Sequence, residues 1–113
     1  MSFEGKTILI TGGTGSFGQK FAELALKEKN PKSVRIYDHN ELAIVEMERK
    51  FSEKRVRFLI GDVRDRRRLS RAMNGVDVVV HAAVGQERVL GDIADLLAQG
   101  ARVERLEVGP VDQ

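Results

Sequence analysis

The sequence predicts an open α/β fold, with about five parallel strands in the order 3-2-1-4-5 and helices on both faces of the sheet. Two observations carry this prediction. Short apolar runs of strand length alternate with segments of helical spacing, in the order β-α-β-α-β-α-β. A glycine-rich turn separates the first run from the first helical segment. Parallel strands joined by right-handed helical crossovers satisfy that order.

Four apolar runs have the length and β-branched content of buried strands. They read "KTILI" (6–10), "SVRIY" (33–37), "VRFLI" (56–60) and "VDVVV" (76–80). Between them, apolar residues recur at the spacing of one helix face. The three stripes contain Phe17, Phe21, Leu24 and Ala25; Leu42, Ile44, Val45, Met47 and Phe51; and Leu69, Ala72 and Met73. Pro31 and Gly75 separate helix from strand.

After His81 the pattern is less regular. The apolar residues between Val89 and Leu97 predict an amphipathic helix that ends at Gly100. The segment "ARVERLEV" (101–108) fits a charged edge strand, since charges discourage edge-to-edge pairing, and a partly ordered tail is the alternative. We therefore expect residues 1–113 to form one truncated domain in which 83–113 are a divergent helix and edge strand.

Composition limits the class of protein. A chain of 113 residues has the length of one domain, and 19 Lys and Arg against 17 Asp and Glu favour no particular polyanionic partner. There is no cysteine and there are two separated histidines, so neither a disulfide nor a metal site is expected. The N-terminus lacks a secretory pattern, and no apolar run reaches the roughly 18 residues of a membrane span. We expect a cytoplasmic protein with no membrane or nucleic-acid partner.

The glycine-rich segment "ILITGGTGSFGQKF" lies where the first strand turns into the first helix. Glycines there allow a tight turn, close approach of a diphosphate, and packing of the helix against the sheet. The free N–H groups of the helix start then bind the anion. Gly13, Gly15 and Gly18 spell GxGxxG, whereas Gly12, Gly15 and Gly18 spell GxxGxxG. A purely structural turn is the alternative.

Asp38 ends the second strand, 20 residues after Gly18, where a carboxylate accepts hydrogen bonds from an adenosine ribose. This position favours NAD over NADP, because a carboxylate repels a 2′-phosphate. The alternative is that Asp38 caps the following helix, for which Asn40 is the better cap. His39 either lies beside the adenine or is solvated.

These residues resemble the start of an extended short-chain dehydrogenase/reductase, and more narrowly the N-terminal region of UDP-N-acetylglucosamine 4,6-dehydratases and related polysaccharide-biosynthesis enzymes. The resemblance runs through "GKTILITGGTGSFGQKF", "NPKSVRIYDHNE" and "RVRFLIGDVRDRRRLSRAMNGVDVVVHAA", from Gly5 to Ala83. It implies a Rossmann-like, NAD(P)-binding domain, and a UDP-sugar as substrate of full-length members.

The resemblance also implies roles for individual residues. The cofactor diphosphate would lie along Thr14, Gly15, Ser16, Phe17 and Gly18, next to Gly12 of the glycine-rich loop. Asp62 and Val63 would meet the adenine, and Ala82 and Ala83 would lie near the nicotinamide half. Relatives commonly have Ser-Arg at the place of Asp38 and His39, a pair suited to NADP, so this departure also favours NAD.

Members of this family typically use a Tyr-x-x-x-Lys pair in catalysis, in which the lysine lowers the tyrosine pKa. The single tyrosine, Tyr37, is followed four residues later by Glu41, so we predict no catalytic residue in this chain.

The leading hypothesis is a module that binds NAD and does not catalyse a reaction by itself. The alternatives are a fragment of an active dehydratase or epimerase, and a structural module that keeps the fold without the ligand. An exposed sheet edge makes a homodimer a further hypothesis.

The run "RDRRRLSR" (64–71) is the most basic stretch. Aspartates interrupt it and no aromatic residue interleaves it for base stacking, so we interpret it as the solvated face of a helix.

His81 ends the fourth strand without a nearby serine or acid in sequence, and we predict a structural or cofactor-adjacent role.

Overall fold

A computed structural model describes residues 3–81 and, for the backbone alone, residues 104–107. The elements are β1 Thr7–Thr11, α1 Ser16–Glu28, β2 Ser33–Asp38, α2 Glu41–Lys50, β3 Val56–Ile60, α3 Arg66–Ala72, β4 Val78–His81 and β5 Glu104–Glu107. All pairings are parallel, in the order β3-β2-β1-β4-β5. The predicted α/β fold and the order 3-2-1-4 are confirmed, and 104–107 add a fifth strand beside β4. The helix predicted between Val89 and Leu97 lies outside the described residues.

The sheet separates two apolar clusters, because successive strand residues face opposite sides. Strand residues of one phase pack with α1 and α2; they are Ile8, Ile10, Val34, Ile36, Val78 and Val80. Residues of the other phase pack with α3, and they include Leu9, Tyr37 and Val79. The central strands are buried on both faces, which explains why their sequences are almost continuously apolar.

Side-chain contacts determine where several elements begin and end. The side chain of Asn40 accepts from the N–H of Ala43 at 3.1 Å and caps α2, and Asp65 caps α3 in the same way through Arg68. The predicted fourth strand began at Val76, but β4 begins at Val78. Asp77 precedes it and exchanges two 2.9 Å hydrogen bonds with the backbone of Thr7. This pair ties the start of β4 to the start of β1.

Within residues 3–81 and 104–107, no helix is both long enough and apolar enough to cross a membrane.

Packing of α3 against the sheet should dominate the stability of that face. Leu69 is fully buried in the α3 cluster, so Leu69→Ala should lower the free energy of unfolding by about 2 to 5 kcal/mol. The matched control is Leu42→Ala on α2, where the side chain is 69% exposed and the change should stay within about 0.5 kcal/mol. Urea unfolding measures both. Equal losses would show that α3 does not pack as described.

Candidate functional site

The carboxyl ends of β1, β2 and β4 meet at one edge of the sheet, which is where open α/β folds bind ligands. Thr11 lies beside Tyr37 on one side and His81 on the other. The glycine loop follows Thr11 directly, and Asp38 ends β2. The predicted loop and the predicted carboxylate therefore share one edge of the sheet.

Three glycines of the loop are required by the protein's own conformation and packing. Gly12 has φ +69°, a left-handed conformation that favours glycine, and its N–H donates to the carbonyl of Tyr37 at 2.9 Å. A Cβ on Gly13 would lie 2.8 Å from the Ile36 side chain. A Cβ on Gly18 would lie 2.5 Å from the Cα of Gly13. The turn conformation explains the glycine at position 12, and close packing within the protein explains those at positions 13 and 18.

Gly15 differs from its neighbours, because nothing within the protein requires glycine there. Its φ is −73°, and an added Cβ would meet only the carbonyl of Gly12 at 3.6 Å, an ordinary contact. The residue is exposed. A missing side chain at Gly15 leaves the backbone open to close approach from outside. Gly12 therefore forms the turn, Gly15 leaves the backbone accessible, and Gly18 allows α1 to pack against the loop.

The start of α1 is suited to an anion. Gly15 is its N-cap and supplies no side-chain hydrogen bond, and the first turn holds no acidic residue. The other two described helices have side-chain caps, from Asn40 and Asp65. First-turn N–H groups and the helix dipole favour a negative group at such an end. Ser16 is exposed in that turn, and the Phe17 ring lies 5.8 Å from the ring of Phe21.

The Asp38 carboxylate is held against the glycine loop. Its Oδ2 accepts from the Thr14 hydroxyl at 2.6 Å and from the Thr14 N–H at 3.2 Å. Its Oδ1 accepts from the N–H of Asn40 at 3.1 Å. Because Asn40 is the N-cap of α2, the alternative in which Asp38 caps that helix is wrong. Gln19 adds a further restraint, since its side-chain amide donates to the carbonyl of Thr14 at 2.7 Å.

The residues predicted to meet an adenine lie on or near the same edge. The side chain of His39 is 74% exposed, with Nδ1 3.6 Å from the Asp38 carboxylate. Asp62 accepts three hydrogen bonds from Arg64, which lower its pKa to about 2 and keep it ionised at neutral pH. Val63 is buried in the α3 cluster. Ala82 and Ala83, the other predicted cofactor residues, lie outside the described residues.

Two contributions at this edge were missed in the sequence. Tyr37 donates its hydroxyl to the carbonyl of Asp62 at 2.8 Å, and a Cβ on Gly61 would lie 2.5 Å from that hydroxyl oxygen. Tyr37 is therefore more than the sheet residue we predicted, because it positions the loop after β3. Thr11 and His81 form a buried hydrogen bond of 2.5 Å between Oγ1 and Nδ1. Both hydrogen bonds involve polar residues at or near the ends of buried strands, which is the sequence feature that could have indicated them.

Within the part of the chain that the structure describes, no three His, Asp or Glu side chains are grouped to hold a metal ion.

Comparison with known proteins places these features in a wider group. The family model described as polysaccharide biosynthesis protein matches residues 8–88. The chain is 51% identical over 81 residues to a UDP-N-acetylglucosamine 4,6-dehydratase (inverting) of Campylobacter jejuni, and equally identical to an uncharacterized membrane protein of Methanocaldococcus jannaschii. These matches cover 72% of this chain and 24% of each relative. The chain thus spans about a quarter of the length of these relatives.

Among solved structures, Pen from Bacillus thuringiensis superposes with a TM-score of 0.81 and 28% sequence identity. The superposition covers 93% of this chain and 38% of Pen.

The environment of Tyr37 predicts an alkaline transition. Burial is the main cause that raises its pKa from 10.0 to about 12. Because the folded-state pKa lies above the unfolded value, the stabilisation is complete below pH 10 and is lost as the pH rises toward 12. This is the single tyrosine and there is no tryptophan, so phenolate absorbance reports it directly. A midpoint of 10 in the folded protein would contradict the buried hydrogen bond.

The glycine roles predict different costs for one added methyl group. Gly18→Ala should lower the free energy of unfolding by about 1 to 3 kcal/mol, because the new Cβ overlaps the backbone of Gly13. Gly15→Ala should cost less than about 1 kcal/mol, since only the N-cap preference changes. Guanidinium unfolding of both variants measures the difference. A larger loss for Gly15→Ala would reverse the assignment.

Proposed function

We propose that this chain, which belongs to the polysaccharide biosynthesis protein family, forms one NAD(P)-binding domain that binds NAD(H) at the carboxyl edge of its sheet. The observation that carries the proposal is the Asp38 carboxylate held by Thr14 beside a helix start that has no side-chain cap. Together they present a site for an anion and an acceptor for hydroxyl groups. A ribose attached to a diphosphate supplies both partners.

The diphosphate would lie against the loop from Gly12 to Gly18. The open backbone at Gly15 admits its close approach, and N–H groups at the first turn of α1, from Ser16 and Phe17 onward, would donate to it. Gly12 and Gly18 hold the loop in the required shape. Thr14 would contribute indirectly, by holding Asp38, to which its hydroxyl and its N–H both donate.

Asp38 would accept a ribose hydroxyl. A carboxylate offers about four acceptor positions, and Thr14 and Asn40 occupy three of them. The remaining acceptor position lies on Oδ1 of Asp38. A 2′-phosphate about 4 Å from this carboxylate would be repelled by roughly 4 kcal/mol at an effective dielectric near 20. This repulsion supports NAD over NADP.

The remaining contacts follow the family resemblance. Asp62 and Val63 would flank the adenine with exposed His39 nearby, and Ala82 and Ala83 would lie along the nicotinamide half. NAD supplies a reversible hydride acceptor when it is bound. The residues of this chain would bind and orient it, since the single tyrosine does not form a Tyr-x-x-x-Lys pair. We propose binding without turnover by this chain alone.

A second candidate function is that of a fragment of an active UDP-N-acetylglucosamine 4,6-dehydratase. The 51% identity to the Campylobacter jejuni enzyme favours it. An assay for a dehydrated sugar product, with UDP-N-acetylglucosamine and NAD added to this chain, separates the two. Product formed by the chain alone would favour the second candidate. Absence of both product and NAD binding would leave a structural module, for which pairing of two copies through a sheet edge stays a prediction.

Isothermal titration tests the proposal. We expect saturable NAD binding at millimolar concentration or below, and NADP weaker by at least about tenfold, or 1.4 kcal/mol. Asp38→Arg should reverse this preference, because the repulsive charge becomes attractive. Gly15→Ala should keep the fold but lose NAD, since its methyl group fills the approach to the backbone.

The matched control is Glu46→Arg, which makes the same charge change at an exposed position of α2. It should leave the NAD to NADP ratio unchanged. No saturable heat with NAD, or a preference that Asp38→Arg does not alter, would contradict the proposal.

A further inference from the structure

A second concave surface lies on the α3 face of the sheet. β2 and β3 form its floor and α3 forms its wall, and they enclose a groove of about 540 Å³. Four arginines line it, together with apolar groups such as Leu59, and no carboxylate is among the lining residues. None of the residues proposed to bind the dinucleotide lines it. We refer to it as the arginine groove, defined by Arg35, Arg57, Arg68 and Arg71.

Two of these arginines are direct neighbours across the sheet. Arg35 of β2 is in register with Arg57 of β3. Neighbouring strands lie about 4.8 Å apart, and like charges on directly opposed residues destabilise a sheet. Burial, and next the charge of Arg57, lower the pKa of Arg35. The protein thus keeps two like charges directly opposite each other on one face of the sheet.

The other contacts of the groove divide the arginines into two kinds. Arg35 Nη1 donates to the carbonyls of Ala72 and Asn74 at 2.7 and 2.6 Å, and Arg68 donates to the carbonyl of Ile60 at 3.0 Å. These two side chains are therefore held in place. Nε of Arg35 is nevertheless buried without a hydrogen-bond partner. Within residues 3–81, Arg57 and Arg71 make no side-chain hydrogen bond or ion pair.

A protective role explains only part of this arrangement. A charge on an edge strand discourages pairing with another chain, and Arg57 on β3 serves that purpose among the described strands. It does not explain why Arg71 of α3 and Arg35 of the inner strand β2 face the same groove. Carboxylates would neutralise such a cluster, and Asp65, 3.6 Å from Arg68 at the helix start, lies outside the lining.

We propose that the arginine groove binds a small phosphorylated anion. Guanidinium groups match the geometry of phosphate oxygens, and a bound anion would offset the repulsion between Arg35 and Arg57. The volume lies within the range of small-molecule sites, and Leu59 gives an apolar wall for an organic portion. The lining holds two aromatic residues. Tyr37 is 1% exposed and Phe58 packs against the apolar cluster of α1 and α2, so a single-stranded nucleic acid, which needs open rings for stacking, fits less well. The site is independent of the proposed NAD site.

Titration with inorganic pyrophosphate tests the proposal. In ¹⁵N-labelled Gly15→Ala protein, whose glycine loop is blocked, we expect saturable shifts of the Arg35 and Arg57 side-chain Nε–H signals. The melting temperature should rise with pyrophosphate but not with chloride at equal ionic strength. Arg57→Thr should reduce both responses at least tenfold in affinity. Without the anion, this variant should be no less stable than the parent at low salt, since a repulsive pair is removed.

The matched control is Arg67→Ser, which removes one charge from α3 at an exposed position that does not line the groove. It should keep the full response. Equal weakening by Arg67→Ser and Arg57→Thr, or shifts that never saturate, would overturn the proposal in favour of general charge attraction. A single-stranded decanucleotide that binds at least 100-fold tighter than pyrophosphate, with the same dependence on Arg57, would overturn it in favour of a nucleic-acid surface.

Discussion

The close contact between α1 and the glycine loop is the constraint on which the candidate site depends. Gly18 of α1 lies against the backbone of Gly13 in the loop, and a Cβ on Gly18 would overlap main-chain atoms of Gly13. This contact holds the first turn of α1 against the loop that follows β1. The dipole of a helix decays within its first turn, so an anion can use it only when the approach to that turn is open. Exposed Gly15 provides the approach.

Hydrogen bonds between neighbouring strand ends convert this loop into a rigid edge. Gly12 donates to the carbonyl of Tyr37, whose hydroxyl holds the carbonyl of Asp62. Thr14 meanwhile binds the carboxylate of Asp38. These hydrogen bonds connect the ends of β1, β2 and β3, and two of the residues that make them, Tyr37 and Asp38, are buried. Specificity for a ribose would depend on this network, because it fixes both the position of Asp38 and the number of acceptor sites left on it.

The sequence predicted the architecture well because periodicity and glycine position are local signals. Strand runs, the three helices and the Asn40 cap depend on neighbours in the chain, and they are confirmed. The apolar stripes were wrong in part, because Leu24, Leu42 and Val45 are exposed. The roles of individual glycines could not be separated by spacing, since they depend on φ and on contacts with Ile36 and Gly13. Tyr37 and Asp77 were also missed as linking residues, because their partners lie 25 and 70 positions away.

Net charge proved a poor guide to local electrostatics. A net charge of +2 favours no particular polyanionic partner, and the run from Arg64 to Arg71 predicts a solvated helix face. The arginines of that run are exposed, which confirms the solvated face. Strand register adds what the run alone does not show, since it places Arg35 beside Arg57 on the floor next to α3. Carboxylates, by contrast, collect at the carboxyl edge, at Asp38 and Asp62. The sheet therefore separates charges that the net charge of the chain averages: carboxylates lie at its carboxyl edge, and guanidinium groups line the groove.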